Sequence, residues 1–381
     1  MDAYITGEAS LPNGTYDAPE RDLVLRVVLD ALKTADHDPT EVDGLYLPKP
    51  RPWTDQGFFS TLLAARLGAA PARTMEVYTG GTSGSNAFHS AIADVRAGRV
   101  ETAVVAAVER NSIIETEDYF EYILGIFDRE FQSPAGPSIP AVYAQSMQRY
   151  CHDFDVDRES LAGIAAKNRT NGAENHESLF SEPVTTEEVT NSRPIADPLC
   201  LYECPAPCDG AAAMVVTSEP AGEASPIRVG GIGSGHASSH LVGTREGSLS
   251  QLPAVGTATE AAFGDADTTA SEIDVFEPYA PFPHVEAIIT EEISLFDRGA
   301  GAAAFERGET AIDGAYPVSP SGGCIGRGHP AMVTPLLNVI AGARQIRGTA
   351  ANQVADTGRV LTTTEHGHVD GVTATVLEAT A

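Results

Sequence analysis

The chain has 381 residues, 42% of them hydrophobic, which is enough for two domains of ordinary size with a large core and excludes a disordered chain. Its formal net charge is −29, and lysine occurs only at Lys33, Lys49 and Lys167, so the positive footprint that nucleic acid needs is missing. The acidity is spread along the chain like a solvated surface that stays soluble in high salt, and a halophilic source is expected. Five cysteines, an odd number in a long chain, argue against a disulfide framework and for a cytoplasmic setting. The start, MDAYITGEAS, has neither the basic nor the apolar region of a signal peptide, and no run reaches the ~18–20 apolar residues of a membrane helix.

In chain order, residues 17–34 are predicted as a helix capped by Asp17, with Pro19 in its first turn and Leu23, Val27, Val28 and Leu32 on one face. A glycine turn at Gly80 and Gly81 feeds a second helix from about Ser83 to Arg96. TAVVAAV (102–108) has the length and apolarity of a buried strand. A helix capped by Asp157 fits 158–171, with Leu161, Ile164 and Ala165 inward, and DGAAAMVV (209–216) reads as a strand behind a tight Asp-Gly turn. The second half repeats the order: IDVFEP (273–278) as strand, HVEAIITEEISLF (284–296) as helix, a glycine turn at 321–328, a helix over roughly 331–346, then RVLTTTE (359–365) and DGVTATVLE (370–378) as strands.

DGAAAMVV and DGVTATVL are near-copies at the ends of two halves, and the Gly-Gly turns at 80–81 and 322–323 sit at corresponding places. This self-similarity implies duplication of one α/β unit, with sheets layered between helices. The expected division is 1–220 and 221–381, with an excursion at about 110–200, rich in Tyr, Phe and Pro, lying over the site.

The most specific stretch is SPSGGCIGRGHPAMVT (319–334). Glycines there, Gly322, Gly323 and Gly328 among them, let the backbone approach a ligand closely, and Pro330 pins His329 where it can accept a proton or donate to a developing oxyanion. The alternative reading of the same residues is a glycine-rich structural turn with an incidental histidine.

GG-x-I-x-x-GHP, the DGAAA strand, the duplication and SLAGIAAKNRTNG (160–172) together resemble the thiolase superfamily, in its archaeal and sterol-carrier-type branches, and most of all the catalytic subunit of haloarchaeal two-subunit β-ketothiolases. The resemblance covers nearly the whole chain. It implies a five-layer αβαβα fold of two duplicated halves with mixed sheets, a homodimeric core, acyl-CoA substrates with coenzyme A as co-substrate and no bound cofactor or metal, and a small OB-fold partner subunit, sometimes with a zinc ribbon. Thiolases carry the acyl-accepting cysteine in C-G-S-G-x-x-A; the matching stretch here is Gly81, Thr82, Ser83, Gly84, Ser85, Asn86 and Ala87, so the cysteine position is Gly81. The second cysteine, in C-x-G-G-G-x-G, matches Glu365, followed by His366, Gly367 and His368, again without cysteine. The Asn-Glu-Ala-Phe element matches Tyr279, Ala280, Pro281 and Phe282. The GHP histidine is retained as His329.

Two enzymatic readings follow. In the first, Ser85 is the nucleophile, because it lies one helical turn after Gly81 on the same face, and glycine at 81 leaves room for the thioester to reach it. Ser83, on another face, is the weaker candidate. His329 would activate the serine, and His366 or His368, each near the ordinary histidine pKa of about 6.5, would take the α-proton. This makes the chain an acetyl-CoA C-acyltransferase supplying polyhydroxyalkanoate precursors. In the second reading no acyl-enzyme forms, and Tyr279 with a histidine cleaves a β-hydroxyacyl-CoA, as the cysteine-less thiolase-like aldolases do. A non-catalytic acyl-CoA- or lipid-binding homologue is the third possibility, with Ser83 and Ser85 in ordinary helix-start hydrogen bonds.

Cys200, Cys204 and Cys208 have no matching ligand pair at zinc spacing and read as buried thiols. Cys324 sits inside the glycine-rich turn, where the family places a small residue, and is not read as the nucleophile. His152, His176 and His240 have no motif around them.

Overall fold

The computed structural model describes residues 1–54, 56–71, 73–220, 225–237, 249–366 and 371–380. The strands are β1 (Tyr4–Ser10), β2 (Gly44–Pro48), β3 (Arg73–Val77), β4 (Thr102–Glu109), the short hairpin β5 (Pro194–Ala196) and β6 (Leu199–Cys200), β7 (Gly210–Thr217), β8 (Ile227–His236), β9 (Val275–Glu277), β10 (Arg359–Glu365) and β11 (Gly371–Ala379). The helices of the first half and its excursion are α1 (Glu20–Ala35), α2 (Phe59–Leu67), α3 (Ser83–Arg96), α4 (Thr116–Ile123), α5 (Ile139–Phe154), α6 (Arg158–Glu174) and α7 (Thr186–Asn191). The second half has α8 (Pro253–Ala266), α9 (Pro283–Glu292), α10 (Gly301–Glu306), α11 (Gly323–Arg327) and α12 (Thr334–Arg347).

Nine strands run in the order β3-β2-β4-β7-β1-β8-β11-β10-β9, so the two halves share one mixed sheet joined where β1 pairs antiparallel with β8. The duplication is visible in the pairing. β7 lies antiparallel between β4 and β1, and β11, its near-copy in sequence, lies antiparallel between β10 and β8. The counterpart of β3 shrinks to a single parallel bridge between Phe276 and Val318.

Burial separates the layers. Leu23, Val27, Val28 and Leu32 of α1 pack outside the first half-sheet against Val104, Ala106 and Val215. Phe88 and Ile92 of α3 and Leu336 and Ile340 of α12 share a core with strand residues of both halves, and so form the middle layer. Ala258 and Ala262 of α8 pack outside the second half-sheet with Ala374 and Val376. The sequence α1, sheet, α3 with α12, sheet, α8 is the expected αβαβα arrangement.

Local chemistry accounts for most boundaries and corrects two. Asp157 caps α6 by accepting from the Glu159 N–H, as expected. Asp17 does not cap α1: the N-cap is Pro19, without a side-chain hydrogen bond, so the helix starts at Glu20. The glycine turn at 321–328 is not a plain turn, since residues 323–327 wind into the short helix α11. Among the described residues no helix is long and apolar enough to cross a membrane.

Candidate active site

A cavity of about 1470 Å³ opens where the Gly80–Gly81 turn and His329, just past the second glycine turn, meet the ends of β8, β10 and β11. It exceeds the ~300–1,000 Å³ of most small-molecule sites and is mostly apolar. Its roof includes residues of the 110–200 segment, such as Tyr119, Tyr122, Phe127 and Tyr143.

Tyr279 and His329 face each other in the cavity wall, with the phenol oxygen 2.9 Å from His329 Nε2. Both are buried, and the rings meet edge to face at 5.2 Å. Thr334 donates its hydroxyl to the Pro330 carbonyl at 3.0 Å, so its oxygen is free to accept from His329 Nδ1 at 3.3 Å. That assigns the proton to Nδ1 and leaves Nε2 as the acceptor of the tyrosine O–H. Burial first, then Arg51 and Arg327, lowers the His329 pKa to about 3, and burial raises that of Tyr279 well above 10. At neutral pH the pair is therefore a neutral imidazole and a protonated phenol.

His366 also lines the cavity, and its Nδ1 accepts the Gly81 N–H at 2.8 Å, so Nε2 carries the proton. Its pKa falls to about 4 through burial, then His236 and Arg51. The expectation that these histidines titrate near 6.5 is corrected for both, because neither imidazole is solvated enough to charge there. His368 lies outside the described residues.

The serines sit differently. Ser83 is fully buried and closes the helix start, accepting from the Thr79 N–H at 2.9 Å and donating to the Gly80 carbonyl at 2.6 Å. Ser85 is 3% exposed; its hydroxyl donates to the Thr82 carbonyl at 3.0 Å and accepts from the Thr373 hydroxyl at 2.7 Å. Thr373 lines the cavity and Ser85 stands behind it. Among the described residues neither serine is hydrogen-bonded to a histidine. The room expected at Gly81 is already taken: a Cβ there would lie 2.8 Å from the Glu365 carbonyl oxygen of β10, so the missing side chain admits backbone, not substrate.

Gly322 and Gly328 have φ of 94° and 92°, which only glycine adopts without strain. The close approach they permit is to protein. A Cβ on Gly322 would lie 2.6 Å from Gly172 Cα of α6, and one on Gly328 would lie 2.9 Å from Leu179. Gly322 thus seats the start of α11 against α6, Gly323 packs against Ser319 and Gly328 passes Leu179 and Cys208; all three stand behind the cavity wall, which corrects the reading of these glycines as ligand contacts. The three cysteines 200, 204 and 208 are free thiols, as expected, and burial pushes Cys324 up to about 12, so it stays protonated. Among the described residues no cluster of His, Cys, Asp and Glu can hold a metal ion.

Sequence reasoning missed the polar bed beneath the site. Glu109, at the end of β4, accepts from Arg51 Nε at 2.5 Å and from the Met332 N–H at 2.8 Å, tying the GHP loop to the first half. Tyr143 donates to Glu365 at 2.8 Å across the cavity roof. The one available signal was a carboxylate ending an otherwise apolar strand, TAVVAAVE.

Comparison with known proteins identifies the family. Residues 3–220 match the thiolase N-terminal domain family and residues 235–379 the thiolase C-terminal domain-like family, so the chain belongs to the thiolases. It is 29% identical, over 94% of both chains, to a protein of Methanothermobacter thermautotrophicus named acetyl-CoA acetyltransferase. It is 28% identical, over 91% of both chains, to a Mycobacterium tuberculosis protein named 17-hydroxy-3-oxo-4-pregnene-20-carboxyl-CoA lyase. A solved structure named Ltp2-ChsH2(DUF35) aldolase shares the fold, with a TM-score of 0.85 over 99% of this chain and 98% of that one, at 23% identity.

Proposed function

We propose that this chain makes or breaks the carbon–carbon bond between the α and β carbons of an acyl-CoA thioester, with Tyr279 and His329 as its proton-transfer pair. The observation that carries this is the 2.9 Å Tyr279–His329 contact in the wall of a large apolar cavity, with the tautomer fixed by Thr334. For cleavage of a β-hydroxyacyl-CoA the β-hydroxyl gives its proton to Tyr279 as Tyr279 gives its own to His329 Nε2. The Cα–Cβ bond then breaks, leaving a carbonyl product and the thioester enolate. The same proton returns to the α carbon, so the step needs no co-reactant. The His366 Nε2–H is a donor suited to the enolate oxygen. No nucleophile is required, which fits a filled Gly81 position and a Ser85 set behind Thr373.

A second reading, thiolytic acyl transfer through Ser85, is favoured by the full-length likeness to a named acetyl-CoA acetyltransferase and by the Thr373 link from Ser85 to the cavity. It would make the protein a β-ketothiolase feeding polyhydroxyalkanoate synthesis. Either reading takes acyl-CoA as substrate in a cytoplasmic, salt-rich setting. Either also includes a homodimeric core and a small OB-fold partner, supported by the DUF35 protein named with the solved aldolase.

The test gives the purified chain, alone and with its genomic neighbour, a 3-hydroxyacyl-CoA without free CoA and a 3-oxoacyl-CoA with it. Cleavage of the hydroxy substrate that persists in Ser85→Ala supports proton transfer alone. Thiolysis that depends on CoA and vanishes in a folded Ser85→Ala assigns the covalent route. A chain inert to both substrates, with and without the partner, refutes both.

A further inference from the structure

Arg169, on α6, lines the cavity and is 7% exposed. It lies over two aromatic rings: the guanidinium carbon is 3.5 Å from the Phe180 ring centroid and 5.1 Å from that of Tyr202. Its Nε is buried with no hydrogen-bond partner, and among the described residues the side chain makes no hydrogen bond or ion pair. This is anomalous in a chain with 53 acidic residues and net charge −29. Lys167, two residues earlier on the same helix, is paired with Glu286 at 2.8 Å. Arg51, also in the cavity wall, is paired with Glu109 at 2.5 Å. A buried cation with no partner is costly unless a ligand supplies one.

We propose that Arg169 is a specificity-determining residue that binds a carboxylate carried on the acyl part of the substrate. This rests on the acyl-CoA reading above and adds the class of acyl group. A guanidinium lying over aromatic rings keeps its edge for hydrogen bonding, and that edge donates a planar, two-bonded fork matched to a carboxylate. The setting chooses between the two anions that an acyl-CoA could present. Arg129 and Arg193 also line the cavity but are exposed, which suits hydrated phosphates of the carrier. Arg169 is buried beside the Phe180 and Tyr202 rings and needs a partner that can itself be buried. Among the described residues Glu365 is the one carboxylate in the cavity lining, and its Oε1 is taken by Tyr143, so none of them offers Arg169 a counter-ion. Burial also lowers the Arg169 pKa, a shift that a bound carboxylate would reverse.

The experiment uses non-cleavable thioether analogues of CoA whose acyl chain ends in a carboxylate or in its neutral amide isostere, titrated calorimetrically into the full chain. The wild type is expected to bind the carboxylate form at least tenfold more tightly, and Arg169→Gln to lose that preference. Arg169→Lys, which keeps the charge, should restore part of it, and thermal unfolding reports whether each variant folds. An absent preference in the wild type, or one that survives in folded Arg169→Gln, overturns the proposal. So does weakening of both analogues alike in Arg169→Gln that disappears with pantetheine thioethers lacking the nucleotide, since the guanidinium then binds a carrier phosphate. Kinetics separates this from the reaction itself: the ratio of kcat/KM for acid-ended over neutral substrates should fall at least tenfold in Arg169→Gln. A binding preference that holds while no substrate is cleaved would refute the proposed reaction and leave this assignment standing.

Discussion

Replacing Tyr279 with Phe removes one oxygen and leaves the ring. The lost contact is the 2.9 Å bond to His329 Nε2, between two buried groups. Its stability effect is small, because Nε2 faces the cavity and water can take the place of the phenol; about 1 kcal/mol is expected, the net worth of one neutral hydrogen bond. The effect on rate is much larger. Without the phenol oxygen the proposed relay from the substrate hydroxyl to His329 Nε2 loses its middle group. Losing a positioned general acid–base group costs roughly 10²–10⁴ in kcat, or about 3–5 kcal/mol at the barrier. The assay is steady-state cleavage of whichever substrate the wild type accepts, read beside thermal unfolding. A folded Tyr279→Phe whose kcat falls less than threefold would refute the role of the pair, because the proton would then travel by another route.

Restoring the family's cysteine with Gly81→Cys should destabilise the protein by roughly 1–3 kcal/mol, the usual cost of overpacking, because the new Cβ meets the Glu365 carbonyl at 2.8 Å and backbone cannot step aside; an unchanged urea midpoint would show that the close approach relaxes freely. Activity should show no loss centred on pH 6.5, since His366 charges only near pH 4 and His329 only near pH 3, and a rate that halves at 6.5 would place another group in control. The same groups set the acid limit of stability. With folded pKa values lowered to about 3 for His284 and His329 and about 4 for His89 and His366, the unfolded chain binds more protons below about 6.5. Stability should therefore fall as the pH drops from about 6.5 toward 4, and a melting temperature that rises across that window would contradict it.

What the sequence determined by itself is the set of features that near neighbours in the chain control. The strand at 102–108, the helix from Ser83 to Arg96, the Asp157 cap and the duplicated DGAAAMVV and DGVTATVL strands are all legible because periodicity, capping and apolar runs act over a few residues. His329 was legible because Pro330 and the glycines mark its turn locally, and Tyr279 because it occupies a family motif. The tertiary structure alone decided what those residues meet. His366 reaches the Gly81 N–H across 285 positions, Thr373 caps the Ser85 hydroxyl across 288, and Glu109 holds the Met332 N–H across 223. No local pattern encodes such contacts; they exist because two half-sheets and a middle helical layer bring four chain segments to one cavity. The same holds for the lowered histidine pKa values, which come from burial by residues far away in the chain. A glycine read as space for substrate proved to be space for a carbonyl for this reason: the sequence reveals the missing Cβ, and packing decides what fills it.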